Sequence, residues 1–237
     1  MKTVPEFHEF ADQQTLCQKL SQRICAALQE AIAVRGKASL VVSGGSTPVP
    51  LFAALSVISM EWDSVFITLA DERWVEVSDK DSNEASVREH LLRNQAGETH
   101  FHGLKNSHAS AVDGEKECEE QLALLPVPFD IVILGIGSDG HTASLFPGAA
   151  RLSDALDMGS GTLCMAMTPV TAPHDRMTLT LPALLNSRQI FLQLSGKEKR
   201  DVYERALGGD SVEEMPMRAV LYQDKVPVDV YWAADRG

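Results

Sequence analysis

Short apolar runs alternate with stretches of helical periodicity along most of this chain. The runs at 38–42, 65–69 and 129–134 are almost uninterrupted in apolar residues, and apolar residues recur every three or four positions between 12 and 35. Continuous apolar strands separated by helices are typical of a parallel sheet that is buried on both faces. The pattern therefore predicts a Rossmann-like α/β fold with an open, mostly parallel sheet covered by helices on both faces.

Weaker patterns continue the alternation to the C-terminus. Further strands are predicted at 163–167, 177–181, 190–194 and 228–232, and further helices from about 82, over 109–125 and over 198–207. The sequence shows no internal repeat, low-complexity tract or recognisable interdomain linker, and its 237 residues suit one large α/β domain. We therefore expect a single domain over residues 1–237.

The charge and hydropathy of the chain exclude several classes of partner. It carries 21 Lys and Arg against 33 Asp and Glu, a net charge of −12, which disfavours a surface that binds the phosphate backbone of nucleic acid. No apolar run is long enough to suggest a membrane span, and the N-terminus lacks the apolar segment of a signal peptide. The sequence predicts a soluble, cytoplasmic protein with neither a nucleic-acid nor a membrane partner.

The cysteines and histidines form no recognisable metal-binding pattern. His100 and His102 could place two imidazoles on one strand face, but no third ligand is identifiable. The cysteines contain no CxxC pair and are expected to be reduced and buried; they are Cys17, Cys25, Cys118 and Cys164. The sequence therefore predicts no metal site.

The first glycine-rich loop, Ser43-Gly44-Gly45-Ser46-Thr47-Pro48, lies between a predicted strand and a predicted helix. Glycines let the backbone approach a ligand closely, and exposed N–H groups at a helix start favour an anion. The spacing does not fit the Walker A pattern. We expect the loop to bind a phosphate; the alternative is a structural strand-to-helix turn in which Thr47 caps the helix.

The second loop, 135–141, follows the most strand-like segment and reads GIGSDGH. It satisfies the GxGxxG pattern, and Asp157 lies near the spacing of a ribose-binding acid, but Asp157 does not end a convincing strand. Asp139 and His141 fit acid–base chemistry better, because an imidazole can accept a proton near neutral pH and a carboxylate can orient it. The loop is therefore interpreted as a catalytic rather than a dinucleotide-binding segment.

Charged residues follow other predicted strands. Asp71 and Arg73 come directly after the strand at 65–69, and arginine suits bidentate recognition of phosphate or carboxylate. Arg176 and Lys197 lie beside predicted strand boundaries. The alternative for each of them is an ion pair or a solvated surface charge.

Several blocks, taken together, resemble the 6-phosphogluconolactonase family. They are SGGSTP at 43–48, LADERWV at 69–75, DSNEASVREHLL at 81–92, FDIVILGIGSDGHTASLFPG at 129–148, DRMTLTLPAL at 175–184 and SGKEK at 195–199. The resemblance implies a fold like that of glucosamine-6-phosphate deaminase and ribose-5-phosphate isomerase. It also implies hydrolysis of 6-phospho-D-glucono-1,5-lactone in the pentose phosphate pathway, without a metal or organic cofactor, by a monomer or small homo-oligomer.

The resemblance further implies roles for individual residues. His141 would be the general base with Asp139 beside it, and Arg73 would be an active-site cation. The expected substrate and phosphate contacts are Ser43, Gly44, Gly45, Ser46, Thr47, Asp71, Asn83, Arg176 and Lys197.

Two alternatives remain within the same fold. A sugar-phosphate deaminase or isomerase resembles this chain at the DGH loop, but the position of the deaminase glutamate is occupied here by Phe146. Phenylalanine cannot shuttle protons, which favours the lactonase. The second alternative is a non-catalytic sugar-phosphate sensor, which would bind the hydrolysis product without turning over the lactone.

Overall fold

The computed structural model describes residues 5–170 and 172–234. Seven parallel strands form the main sheet, in the spatial order β1-β10-β9-β6-β2-β3-β5. Their bounds are β1 Glu6–Phe10, β2 Ala38–Val42, β3 Val65–Leu69, β5 His100–His102, β6 Ile131–Leu134, β9 Ile190–Ser195 and β10 Val228–Ala233. The predicted α/β fold class with its mostly parallel sheet is confirmed.

The helices lie largely where periodicity and capping residues predict them. Asp12 caps the first helix by accepting from the Thr15 amide at 2.7 Å, and Gly36 ends it in the left-handed conformation. The helices are α1 Gln13–Arg35, α2 Val49–Ser56, α3 Asn83–His90, α4 Ala111–Leu122, α5 Leu152–Leu156, α6 Leu181–Leu185, α7 Gly196–Leu207 and α8 Met217–Leu221.

A second, three-stranded antiparallel sheet lies beside the main one. It is formed by β4 Asp71–Arg73, β8 Arg176–Leu179 and β7 Cys164–Met167, with β8 in the centre. The strand predicted at 177–181 therefore begins one residue earlier and ends at Leu179, because Thr180 caps α6. The strands β1 and β4 are absent from the prediction, since both are short and carry charged residues.

The order of the strands reverses between β2 and β6. From β2 the chain proceeds outward to β3 and β5, whereas from β6 it proceeds the other way to β9 and β10. Because parallel crossover connections are right-handed, the two directions place their helices on opposite faces of the sheet. Ligands of open α/β sheets bind at such a reversal, beyond the carboxyl ends of the strands. The two glycine-rich loops follow β2 and β6 directly and therefore meet there.

One contiguous cluster of buried apolar residues runs through the described part of the chain. All four strand-forming residues of Ile131–Leu134 are buried, as are all five of Ala38–Val42. Each of the four cysteines is buried and unpaired, as predicted. Within residues 5–170 and 172–234, no helix has the length and apolar character needed to cross a membrane.

Candidate active site

A cleft at the reversal of the sheet gathers most of the predicted site residues. Its first part, which we name the loop lobe, has a volume of about 350 Å³ and is walled by the two glycine-rich loops. The expected residues that line it are Ser43, Gly44, Gly45, Ser46, Thr47, Asp71, Arg73, Asn83 and His141. Residues separated by almost a hundred positions thus meet because β2 and β6 are neighbours.

Close packing holds the first loop against the neighbouring elements. The Ser43 hydroxyl donates to the Ile133 carbonyl of β6 at 3.0 Å. A Cβ atom on Gly44 would lie 1.9 Å from Oδ1 of Asn83, so only glycine lets the loop pack against this side chain. The alternative in which Thr47 caps α2 is wrong, because Pro48 occupies the cap position and no side chain caps this helix. The helix start therefore keeps its amides without a side-chain partner.

Lys197 is not brought to the cleft, which corrects the sequence-based expectation. Its ammonium pairs with Asp201 at 2.6 Å on the exposed side of α7, and the Lys197 side chain is 84% exposed. Lys199 lines the loop lobe instead. Both lysines lie on α7, which begins at Gly196. Residues two positions apart on an α-helix differ by about 200° around its axis, so the two lysine side chains point to opposite sides of the helix. The sequence analysis named only Lys197, because the residue at which α7 begins was not predicted.

His141 and Asp139 form a hydrogen-bonded pair at the rim of the second loop. Nδ1 of His141 lies 2.5 Å from Oδ1 of Asp139, which also accepts from the His141 amide at 3.1 Å. An ionised carboxylate only accepts, so Nδ1 carries the proton and Nε2 is left to act as a base. The hydrogen bond from His141 lowers the pKa of Asp139 below its ordinary value, with the imidazole charge adding to the effect against the opposing effect of burial. Asp139 thus remains a carboxylate and orients the imidazole.

Three neighbours fix the position of the His141 ring. A Cβ on Gly137 would lie 2.1 Å from Nδ1, so glycine is needed for the imidazole to lie against the loop backbone. The ring of Phe146 packs on the imidazole with 4.3 Å between the centroids. The Gly140 carbonyl accepts from the Met217 amide at 2.9 Å, which ties the loop to α8.

A second part of the cleft, about 330 Å³ in volume, is walled by arginines and is named the arginine lobe. Its charged or titratable lining residues are Asp71, Arg73, Asp81, His141, His174 and Arg176. Asp71, Arg73 and His141 line both lobes, so the His141–Asp139 pair lies where the two lobes join. Arg176, expected as a phosphate contact, lies in the arginine lobe.

Arg73 and Arg176 stand directly opposite each other on the antiparallel strands β4 and β8. Like charges in this arrangement repel. Arg176 is only 5% exposed, and its Nε and Nη1 atoms are buried without a hydrogen-bond partner among the described residues. Burial lowers the pKa of Arg176, and the charge of Arg73 lowers it further, whereas the nearby carboxylates raise it. An anion in this lobe would supply the missing partner.

Glu72 does not line the cleft; its side chain binds the start of α3, beside the cleft. The carboxylate is fully buried and accepts from the amides of Arg73, Asn83 and Glu84 at 2.7–2.8 Å. Burial raises its pKa, and these hydrogen bonds oppose the rise. Because side chains alternate along a strand, Glu72 anchors α3 while its two neighbours on β4 face the cleft. Asn83, the first residue of α3, then donates to the Asp71 carbonyl at 2.8 Å.

Sequence reasoning missed the charged, imidazole and amide side chains of four residues that line the cleft: Asp81, His174, Gln193 and Lys199. Gln193 lies within an apolar strand. The only warning in the sequence is that Gln193 interrupts the apolar run of β9.

Possible metal ligands cluster elsewhere in the part of the chain that the structure describes. Glu6, His8 and Asp229 form a group whose ligand atoms lie within 4.8 Å of one another, and none of the three lines the cleft. His100 and His102 flank the Phe66 ring on β3 instead, with centroids 4.8 and 6.2 Å away.

Comparison with known proteins agrees with this geometry. The family model for glucosamine-6-phosphate isomerases and 6-phosphogluconolactonases matches residues 11–232. The chain belongs to this family. Within it, the 6-phosphogluconolactonase of Pseudomonas putida is 38% identical over 225 residues, which are 95% of this chain and 91% of that protein. The predicted family is thereby confirmed.

Solved structures of the family have the same fold. The crystal structure of a 6-phosphogluconolactonase from Shewanella baltica is 52% identical, with a TM-score of 0.96 over 99% of this chain and 100% of that one. A monomeric glucosamine-6-phosphate deaminase has a TM-score of 0.75 over 95% of this chain and 96% of its own, at 19% identity. The second likeness concerns the fold alone.

Proposed function

We propose that this chain hydrolyses 6-phospho-D-glucono-1,5-lactone to 6-phospho-D-gluconate in the pentose phosphate pathway. The observation that carries the proposal is the position of the His141–Asp139 pair at the junction of two lobes that both suit anions. The product of this reaction has an anionic group at each end, a phosphate on C6 and a new carboxylate on C1. Relatives of this chain that are named 6-phosphogluconolactonase are 37–39% identical to it, and they support the same activity.

The phosphate belongs in the loop lobe. Backbone amides of a glycine-rich loop at a helix start bind phosphate without needing a counter-charge of their own, and Lys199 adds one positive charge. With the phosphate at 43–47, the other end of the substrate extends toward His141. The lactone carbonyl then lies at the junction, where Arg73 faces it.

Hydrolysis requires a base, stabilisation of an oxyanion and a proton for the leaving oxygen. Nε2 of His141 takes a proton from water, and the hydroxide attacks C1 to form a tetrahedral oxyanion. Asp139 stabilises the imidazolium, while Arg73 and Arg176 stabilise the negative charge. The C1–O5 bond then breaks, and the imidazolium returns its proton to O5. The acid formed at C1 ionises to the carboxylate.

This chemistry calls for no metal or organic cofactor, because side chains supply both the base and the positive charge. It also calls for no acyl-enzyme, since no GxSxG nucleophile turn occurs in the sequence. We further propose a cytoplasmic protein that acts as a monomer or small homo-oligomer on a small-molecule sugar-phosphate lactone.

The test is hydrolysis of freshly generated 6-phosphogluconolactone, coupled to 6-phosphogluconate dehydrogenase, with spontaneous hydrolysis subtracted. We expect turnover that EDTA does not reduce and that exceeds the turnover of unphosphorylated gluconolactone. Folded protein that gives no rate above background would contradict the proposal and favour a deaminase, an isomerase or a sensor. Loss of turnover in EDTA would overturn the metal-free mechanism alone.

A further inference from the structure

A second histidine–carboxylate pair lies in the wall of the arginine lobe. Nε2 of His174 is 3.2 Å from Oδ2 of Asp81, and both residues line the lobe. The backbone of Asp81 is held in turn, because its carbonyl accepts from Nη1 of Arg73. The pair thus joins the segment before α3 to the segment before β8 across the lobe. The mechanism above uses neither residue.

The backbone at His174 is unusual. Its φ of +68° lies in the left-handed region, where residues other than glycine are uncommon and are held by their surroundings. The flanking contacts provide that hold: the carbonyl of Asp175 accepts from the Trp74 amide at 2.7 Å, and its Oδ1 accepts from the Thr168 hydroxyl at 2.7 Å. The imidazole is therefore kept at the lobe.

The arginine lobe holds a buried cation that lacks a partner. Two nitrogens of the Arg176 guanidinium, Nε and Nη1, have no acceptor within the described residues, and together they carry three N–H groups that an anion could accept from. Asp71 lines the same lobe and offsets part of this positive charge, while its Oδ2 accepts from the Ser144 hydroxyl at 2.6 Å. A planar carboxylate matches the geometry of a guanidinium fork.

We propose that the arginine lobe is a carboxylate subsite, in which Arg176 binds the C1 carboxylate of the hydrolysis product and His174 is a specificity-determining residue. The inference rests on the proposed function, which supplies the carboxylate. Asp81 holds the His174 imidazole at the lobe through the hydrogen bond at 3.2 Å, so the ring bounds the space that the carboxylate enters.

Two ligands that differ only at C1 isolate the carboxylate. 6-Phosphogluconate carries a carboxylate there, and glucitol 6-phosphate carries a hydroxymethyl group. Both carry the same phosphate, whose own titration near pH 6 cancels in the ratio of their dissociation constants. Isothermal titration calorimetry at one neutral pH measures this ratio for the wild type and three variants.

We expect the wild type to prefer 6-phosphogluconate by about 10-fold or more, since hydrogen bonds between charged groups are the strong ones. Arg176→Met should bring the ratio close to one. His174→Gln should lower it about 3-fold, because the imidazole no longer bounds the space that the carboxylate enters. His108→Gln is the matched control, because His108 pairs with Glu117 at 3.3 Å outside the cleft and should change nothing.

Equal affinity of the wild type for the two ligands would overturn the subsite. An unchanged ratio in His174→Gln would overturn the role of His174, even if Arg176→Met failed to fold. The lactonase assay on the same preparation separates the two proposals. If the protein hydrolyses the lactone but binds the two ligands with equal affinity, only the carboxylate subsite is wrong. If it prefers 6-phosphogluconate but does not hydrolyse the lactone, only the proposed function is wrong.

Discussion

The two lobes of the cleft are built by different means. The loop lobe is made largely of two contiguous segments, the glycine-rich loops after β2 and β6. The arginine lobe is assembled from side chains of distant segments, among which Arg73 and Arg176 face each other with like charges. Loop geometry alone forms the first kind of site, which therefore costs little free energy when it is empty. In the second, a buried cation opposes a half-buried one, which is destabilising until an anion binds.

The largest effect should come from the junction that serves both lobes. His141→Ala removes the proposed base and should lower kcat at least about 100-fold, the usual lower contribution of general-base catalysis. Steady-state kinetics with 6-phosphogluconolactone measure this, and His108→Ala controls for the loss of an imidazole. A near-wild-type kcat would show that His141 is not the general base.

Asp139→Asn should have the next largest effect, because an amide orients the imidazole without stabilising its positive charge. We expect kcat to fall about 10- to 100-fold while KM changes little. Because the pKa of Asp139 is lowered, the wild-type carboxylate stays ionised below its ordinary range near 3.9. The stability that this pair contributes is thus present above the ordinary value and lost only as pH falls through the lowered one.

A pH–rate profile therefore separates the two members of the pair. Because the pKa of Asp139 is lowered, protonation of this carboxylate should contribute nothing to any activity lost between pH 8 and pH 5. Asp139→Asn could instead shift or abolish the fall in rate at acidic pH without lowering kcat. That result would contradict the role of Asp139 in orienting His141.

Arg176→Met is the sharpest test of the contrast between the lobes. Removing an unpartnered buried cation should raise the free energy of unfolding by about 1–3 kcal/mol. The same change should lower kcat/KM about 10-fold or more, since one stabiliser of the oxyanion is lost. Denaturant unfolding and kinetics on the same protein give both numbers. If the variant were less stable and fully active, Arg176 would be a structural residue.

Lys199→Gln should have the smallest effect, because Lys199 is half-buried and water screens its charge. We expect KM for the phosphorylated lactone to rise about 3- to 10-fold and that for unphosphorylated gluconolactone to stay unchanged. Lys197→Gln, two residues away on the exposed side of α7, is the matched control. Equal effects of both substitutions would mean that the net charge of the protein, rather than the loop lobe, attracts the substrate.

The main sheet could be predicted because its strands are buried on both faces and therefore appear as continuous apolar runs. The edge strand β1 and the short β4 escaped prediction, since neither needs such a run. The loops after β2 and β6 were recognisable from their glycines as candidate ligand sites. That they meet follows from the reversal of strand order, which is a tertiary property.

The sequence by itself determined the α/β class, the family, the loop 43–48 and the His141–Asp139 pair, because each depends on residues that are close together in the chain. Tertiary structure alone decided which lysine reaches the cleft, that Arg73 and Arg176 oppose each other, and that Asp81 meets His174. These contacts join residues whose separation in the chain carries no information about their distance. Helix phase, strand register and the path of the connecting segments set that distance, and each is fixed only when the core packs.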